Sequence, residues 1–159
     1  MKTLIAALML VAGAATAQET ERPVVVISTT GGASAGATTA GAEVGVFSDS
    51  GRFKYGVSAL VTGGQSQWAG GLLNARWTLF ESTFSPYVGA GIGAFSSKHG
   101  ATESGVLPTG ALEAGVSFWR LFAGARLLVP LSTRTGGLRP HDQAGFGDPA
   151  LLAQLGFRI

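Results

Sequence analysis

The residue types that most often support hydrolysis, a histidine beside an acid and near a serine, occur together in one stretch of the chain. His141 and Asp142 are adjacent, Ser132 and Asp148 lie in the same segment, and the other histidine is His99. A nucleophile must lie within hydrogen-bond reach of its base, and none of the strands predicted below contains both a serine and a histidine. We therefore predict no catalytic residues, and a hydrolase using His141 and Asp142 remains the alternative.

Two patterns suggest a cofactor, and neither has the context that it needs. The set His141, Asp142 and Asp148 is too small for a demonstrable metal site, and the chain contains no cysteine. The run GAGIGA, Gly89–Ala94, matches a dinucleotide fingerprint, but that motif must open a helix. Here the residues that follow continue a strand pattern. The sequence therefore predicts no metal and no cofactor.

The charge balance excludes another class of partner. The chain has 11 Lys and Arg, one of which is Lys2, and 9 Asp and Glu, and only 13% of its residues are charged. Nucleic-acid binding needs a basic face, so we expect no nucleic-acid partner.

The first residues have the features of a secretory signal peptide. A short positive start, Met1-Lys2, precedes the apolar run Leu4–Ala14 and the small-x-small sequence Ala15-Thr16-Ala17. An apolar run this short cannot span a bilayer as a helix, and no later run is long enough. We expect a signal peptide at residues 1–17 and one domain at residues 18–159.

The dominant period of the rest of the chain is two, which is typical of β-strands. Eight strands are predicted, at Pro23–Thr30, Thr39–Ser48, Arg52–Thr62, Gly70–Phe80, Pro86–Ser96, Thr109–Phe118, Leu121–Val129 and Pro149–Ile159. The connections after strands two, four and six are short, and those after strands one, three, five and seven are longer. Such alternation predicts an all-β, eight-stranded, antiparallel, up-and-down transmembrane barrel.

Each strand has one apolar face and one small or charged face. An eight-stranded interior has little room for side chains, so the bulky apolar rows fit better outside, against lipid. The inward charges must then be paired. We predict a polar network inside the barrel that contains Glu43, Lys54, Asn74, Arg76, Tyr87, Glu113, Arg126, Gln154 and Arg158. Gly89, Gly91 and Gly93 should line the same interior and leave volume for long side chains from other strands.

Most aromatic residues lie near the short turns, where a membrane-interface girdle would place them. The predicted interface aromatics are Phe53, Tyr55, Trp77, Phe118, Trp119, Phe122 and Phe157. Trp68, Phe95 and Phe146 lie toward the other end, so the second girdle should be sparse.

The segment SPYVGAGIGAF, Ser85–Phe95, and the closing strand LLAQLGFRI resemble the small eight-stranded outer-membrane barrels, the group of outer membrane proteins A, X and W. This resemblance implies insertion by the barrel-assembly machinery, although the chain ends in Ile159 and its last aromatic is Phe157. It also implies outer-membrane lipid and lipopolysaccharide as partners. Lys98, Arg134 and Arg139 in the loops are either placed to pair with lipopolysaccharide phosphates or ordinary solvated charges. A closed barrel satisfies its own edges, so a monomer is expected.

The predicted function is that of a non-enzymatic outer-membrane protein with a filled polar interior, acting in envelope integrity or surface interaction through its loops. Three alternatives remain. The family includes lipid A deacylases and acyltransferases, which would use His141 and Asp142. A narrow solute channel and a soluble periplasmic barrel of the lipocalin type are the others.

Overall fold

The computed structural model describes residues 23–34, 36–48, 51–99, 102–103, 106–131 and 149–159. The predicted signal peptide, the pair His141-Asp142 and the residues Ser132, Arg134, Arg139, Phe146 and Asp148 lie outside these residues. The strands are β1 Val24–Ser34, β2 Ala37–Phe47, β3 Phe53–Gly64, β4 Ser66–Thr78, β5 Phe84–His99, β6 Thr102–Glu103, β7 Leu107–Phe118, β8 Leu121–Pro130 and β9 Ala150–Arg158. Within the described ranges, no helix has the length and apolar character needed to cross a membrane.

The sheet closes on itself with eight strands. Its order is β4-β3-β2-β1-β9-β8-β7-β5, and β4 also pairs with β5. The two-residue β6 pairs with the end of β5 through Lys98↔Glu103 and His99↔Thr102, outside the ring. Every pairing is antiparallel, and chain neighbours are sheet neighbours. The predicted all-β, eight-stranded, up-and-down barrel is therefore confirmed.

Two connections that we predicted to be long are tight turns. Residues 35–36 join β1 to β2, and Gln65 alone joins β3 to β4. Gly36 and Gly64 have φ values of 75° and 121°, the left-handed region that a tight reversal needs and that glycine adopts without strain. The composition misled the prediction because strands with small, polar inward residues such as Ser66 look like loops.

The two ends of the barrel differ in their connections. The turns β2–β3, β4–β5 and β7–β8 are short, and we call this the tight-turn end. The opposite end carries the tight turns β1–β2 and β3–β4 together with the connections around β6 and between β8 and β9, and we call it the long-loop end because of the last two. Residues 132–148 of the β8–β9 connection lie outside the described part of the chain.

Side chains alternate between the interior and the outer surface. In β9, Leu152, Gln154 and Gly156 are buried while the residues between them are exposed. β1 follows the same rule although its sequence VVVIS does not alternate: Val26 and Ser28 point inward. Pairing with β2 and β9 thus sets which side chains of β1 point inward, because the residue types of β1 alone do not.

The core of the protein lies inside the barrel, in two apolar clusters. The long-loop cluster consists of Leu60, Trp68, Leu72, Phe95, Ala111, Leu128, Ala150 and Leu152. The tight-turn cluster consists of Val26, Phe47, Tyr87 and Phe122. Buried charged side chains occupy the level between the two clusters. We had predicted a polar interior, and the structure shows a polar layer between two apolar ones.

Candidate functional site: a charged layer inside the barrel

Arg126 is the centre of the charged layer. It is 0% exposed, and its two terminal nitrogens contact different acids. Nη1 lies 2.6 Å from Glu43 Oε1, and Nη2 lies 2.7 Å from Glu113 Oε2. Side chains from β2, β7 and β8 therefore meet at one guanidinium. Charge-assisted hydrogen bonds of this kind are about twice as strong as neutral ones.

A second arginine completes the pairing. Arg76 contacts Glu113 through Nε, and its Nη2 lies 3.1 Å from Glu113 Oε2. Gln154 Nε2 donates to Glu43 Oε2 at 2.9 Å. Glu43 and Glu113 balance Arg76 and Arg126, so the layer carries no net charge. This balance lets charged groups remain in an interior from which water is largely excluded.

Arg76 also joins the charged layer to the tight-turn cluster. Its guanidinium carbon lies 4.4 Å from the ring centroid of Phe47, 5.4 Å from that of Tyr87 and 5.5 Å from that of Phe122. These distances fall in the range of cation–π contacts. The aromatic side chains thus cover the charged layer from the tight-turn end.

The remaining predicted interior residues are Asn74, Tyr87, Lys54 and Arg158. Asn74 is buried, but it donates to Ser58 Oγ at 2.8 Å rather than to an acid. Tyr87 is buried within the tight-turn cluster, and its hydroxyl has no hydrogen-bond partner among the described residues. Lys54 and Arg158 are half-buried at inward positions near the tight-turn end, and both have interaction partners.

Two of the three predicted glycines make room for interior side chains. A Cβ at Gly89 would lie 2.6 Å from Glu113 Oε1 and 2.8 Å from the carbonyl oxygen of Ala75, and one at Gly91 would lie 2.7 Å from Asn74 Oδ1 and 2.9 Å from the carbonyl oxygen of Leu73. A Cβ at Gly93 would instead meet the backbone of β4. Glycine at Gly93 is therefore required by the close approach of a neighbouring strand, not by a side chain from across the barrel.

Several interior polar atoms are left without partners among the described residues. They are Thr30 Oγ1, Trp68 Nε1, Tyr87 OH, Arg126 Nε and Gln154 Oε1. Thr30 and Gln154 are directly paired between β1 and β9, so two of these atoms belong to facing residues. Interior side chains thus form ion pairs with one another and fill the volume of the barrel. Among the described residues, no group of three or more His, Cys, Asp or Glu could hold a metal.

Six of the predicted interface aromatics are exposed on the outside of the barrel, and one is not. The exposed ones are Phe53, Tyr55, Trp77, Phe118, Trp119 and Phe157. The prediction for Phe122 was wrong: it is 2% exposed and packs in the tight-turn cluster. The two-residue turn before β8 places Leu121 outside, so Phe122 shares its side of the strand with Arg126.

Sequence reasoning also missed two aromatic residues of the interior. Trp68 and Phe95 were expected near an outer girdle, but both are buried, with ring centroids 6.1 Å apart in an edge-on arrangement. The signal was available in the period of two, since Trp68 lies an even number of residues from Leu72 and Arg76. We assigned these residues to the interface because they are aromatic, whereas the position of a residue in its strand decides whether its side chain points inward or outward.

The outer surface of the barrel is apolar. Leu73, Ile92, Leu112, Leu151 and Leu155 are each more than half exposed. Within the described parts of the eight barrel strands, the one charged residue at an outward position is Lys98, near the long-loop end of β5. The buried charged side chains of the strands are therefore paired inside the barrel, while the outward rows are apolar.

We compared the chain with known protein families, curated proteins and solved structures. No protein-family profile matches the sequence, and no curated protein matches it significantly. Among solved structures, the N-terminal β-barrel domain of Pseudomonas aeruginosa OprF matches with a TM-score of 0.56 and 18% identity, over 86% of this chain and 97% of that one. Neisserial surface protein A, NspA, matches with a TM-score of 0.62 and 14% identity, over 86% of this chain and 96% of that one. The chain thus has the fold of the small eight-stranded outer-membrane β-barrels.

Proposed function

We propose that this protein is an integral outer-membrane barrel with a sealed interior, and that it acts in envelope integrity or surface interaction rather than in catalysis or bulk transport. The observation that carries the proposal is the outer surface: 23 large apolar side chains are exposed among the described residues, and 17 of them lie on the barrel strands. In water, contiguous exposed apolar surface of this kind is unfavourable and promotes association. Lipid removes that cost.

The dimensions and the aromatic residues support a membrane position. The eight barrel strands contain 9 to 16 residues, and about 9–11 tilted residues cross a bilayer. The exposed aromatics cluster at the tight-turn end, as an interface girdle would. In outer-membrane barrels the short turns face the periplasm, so the long-loop end would face outward and carry the surface role.

The interior supports a filled barrel rather than a pore. The charged layer lies between two apolar clusters, and Arg126 spans the interior by contacting acids on β2 and β7. A solute would have to separate these ion pairs and displace buried aromatic rings. The narrow-channel alternative is therefore disfavoured, as is a lipocalin-type soluble barrel, whose apolar face would point inward.

Outer-membrane lipid, lipopolysaccharide and the barrel-assembly machinery are the proposed partners. The exposed, outward Lys98 lies toward the long-loop end, where a lipopolysaccharide phosphate would be within reach of a cation. Phe157 is exposed near the end of β9, the strand that closes the barrel against β1.

Fractionation of cells that express the protein tests the proposal. The barrel should remain in the membrane pellet after high-salt and carbonate washes, and a soluble periplasmic protein should serve as the control. Recovery in the soluble periplasm would contradict the membrane assignment. Purified protein in planar bilayers should give no stable ohmic conductance, and porin-like currents would contradict the sealed interior.

A further inference from the structure

The turn between β7 and β8 has an unusual residue at its tip. Trp119 has a φ of 53° and is the one non-glycine residue with positive φ in the described part of the chain. Two-residue hairpins whose first central residue has positive φ normally place glycine there. A bulky residue in this region of φ is strained, so the position favours a different residue if only the fold of the turn matters.

The side chain of Trp119 is also unusually exposed, which is unfavourable in water. Trp119 is 80% exposed, the highest value among the exposed large apolar residues. The guanidinium carbon of Arg120 lies 5.5 Å from the centroid of the indole ring. Within the turn, a strained backbone thus presents an aromatic ring and a cation side by side to the surroundings of the barrel.

The Trp119–Arg120 turn lies at the edge of the apolar outer surface. Phe118 stacks on Phe84 at a centroid distance of 4.7 Å, and Leu121 is exposed beside them. The N–H of Arg158 donates to the carbonyl of Arg120 at 2.8 Å, which fixes the turn to the end of β9. The tip therefore lies at the border of the apolar surface, where lipid tails meet headgroups if the barrel is in a membrane.

We propose that the Trp119–Arg120 turn is a binding site for the headgroup of anionic phospholipids, an inference that rests on the proposed membrane function. An indole has an apolar body and a polar N–H, which suits the interface. A guanidinium binds phosphate oxygens through paired hydrogen bonds. The two groups are adjacent, so one lipid can contact both, and this contact compensates for the strain and exposure of Trp119.

Refolding into vesicles tests the site. The wild-type barrel is compared in vesicles of phosphatidylcholine alone and of phosphatidylcholine with phosphatidylglycerol, and the ratio of folded to unfolded protein is measured in urea. Each arginine near an anionic surface should favour the folded, inserted state by about fivefold. Arg120→Gln should lose about that factor in the anionic vesicles and change little in the neutral ones. Equal losses in both would overturn the proposal.

Trp119→Gly and Trp77→Ala complete the test. In a neutral detergent without phosphate, Trp119→Gly should be at least as stable as wild type because glycine relieves the positive φ; in anionic vesicles it should be less stable. Trp77 is exposed at the same end in regular strand backbone, so Trp77→Ala should lose stability by the same factor in both vesicle types. Lower stability of Trp119→Gly in every medium would contradict the inference. Failure of wild type to insert into any vesicle would instead contradict the membrane function itself.

Discussion

Replacing Arg126 with methionine removes the cation that contacts both Glu43 and Glu113. Methionine keeps much of the apolar stem, so the change isolates the loss of the guanidinium. Glu113 would retain Arg76, whereas Glu43 would keep only the neutral donors Gln154 and Ser28, at 2.9 Å and 3.4 Å. A buried carboxylate would then be left without a counter-charge.

The magnitude follows from that uncompensated charge. Removing one partner of a buried ion pair costs about 3–5 kcal/mol, a large share of the roughly 5–15 kcal/mol that stabilises a typical domain. Urea unfolding of the refolded barrel in detergent micelles, followed by tryptophan fluorescence, measures the change. The double variant Glu43→Gln/Arg126→Met leaves Arg76 and Glu113 balanced, so it should recover at least half of the loss.

The double variant also provides the refutation. If the loss in Arg126→Met stays below about 1 kcal/mol, the level expected for exposed pairs, the charged layer does not determine the stability of the interior. If the effects of the two substitutions simply add, the two side chains do not interact energetically. Arg52→Gln is the matched control, because Arg52 forms an exposed pair with Glu81 at 3.6 Å and should cost little.

Three further predictions use the same unfolding assay. Gly89→Val should destabilise the barrel by about 1–3 kcal/mol because its Cβ would meet Glu113, whereas Ala90→Val on the outward side should be tolerated; equal effects would contradict the assigned faces. Thr30→Val should raise stability by about 1 kcal/mol, since it removes a buried hydroxyl without a partner among the described residues, and a decrease would show that the hydroxyl is satisfied. Phe122→Ala should cost about 3–5 kcal/mol as a buried aromatic, and a negligible loss would return it to the outer surface.

The charged layer could be predicted from the sequence because strand geometry is simple. With a period of two, Glu43, Arg76, Glu113 and Arg126 each fall on the face opposite the bulky apolar row. Because buried charges must be paired, these acids and arginines were expected to contact one another. The pair of Glu113 and Arg126 follows from the register of the β7–β8 hairpin. The contact of Arg126 with Glu43 depends on the stagger between strands that are distant in sequence, and a single sequence does not specify that stagger.

The errors have one physical origin, which is that residue type was used where strand position decides. Phe122, Trp68 and Phe95 were assigned to the membrane interface as aromatics, yet their positions in the period of two place them inside. Likewise, the small polar residues around Gly36 and Gln65 were assigned to loops, although they continue the strands. A barrel interior lined by Ser, Thr and Gly has the composition of a loop, so composition cannot locate the ends of such strands.

The orientation of the two faces is the central claim, and nitroxide accessibility measures it directly. The chain has no cysteine, so Ile92→Cys and Leu155→Cys each provide one labelling position on the outward face. In vesicles, both labels should collide readily with oxygen, which dissolves in lipid, and should be shielded from a water-soluble nickel complex, whereas a label at Lys98→Cys should be accessible to nickel. Nickel accessibility at Ile92 and Leu155 equal to that at Lys98 would show that the apolar rows face water and would contradict the account.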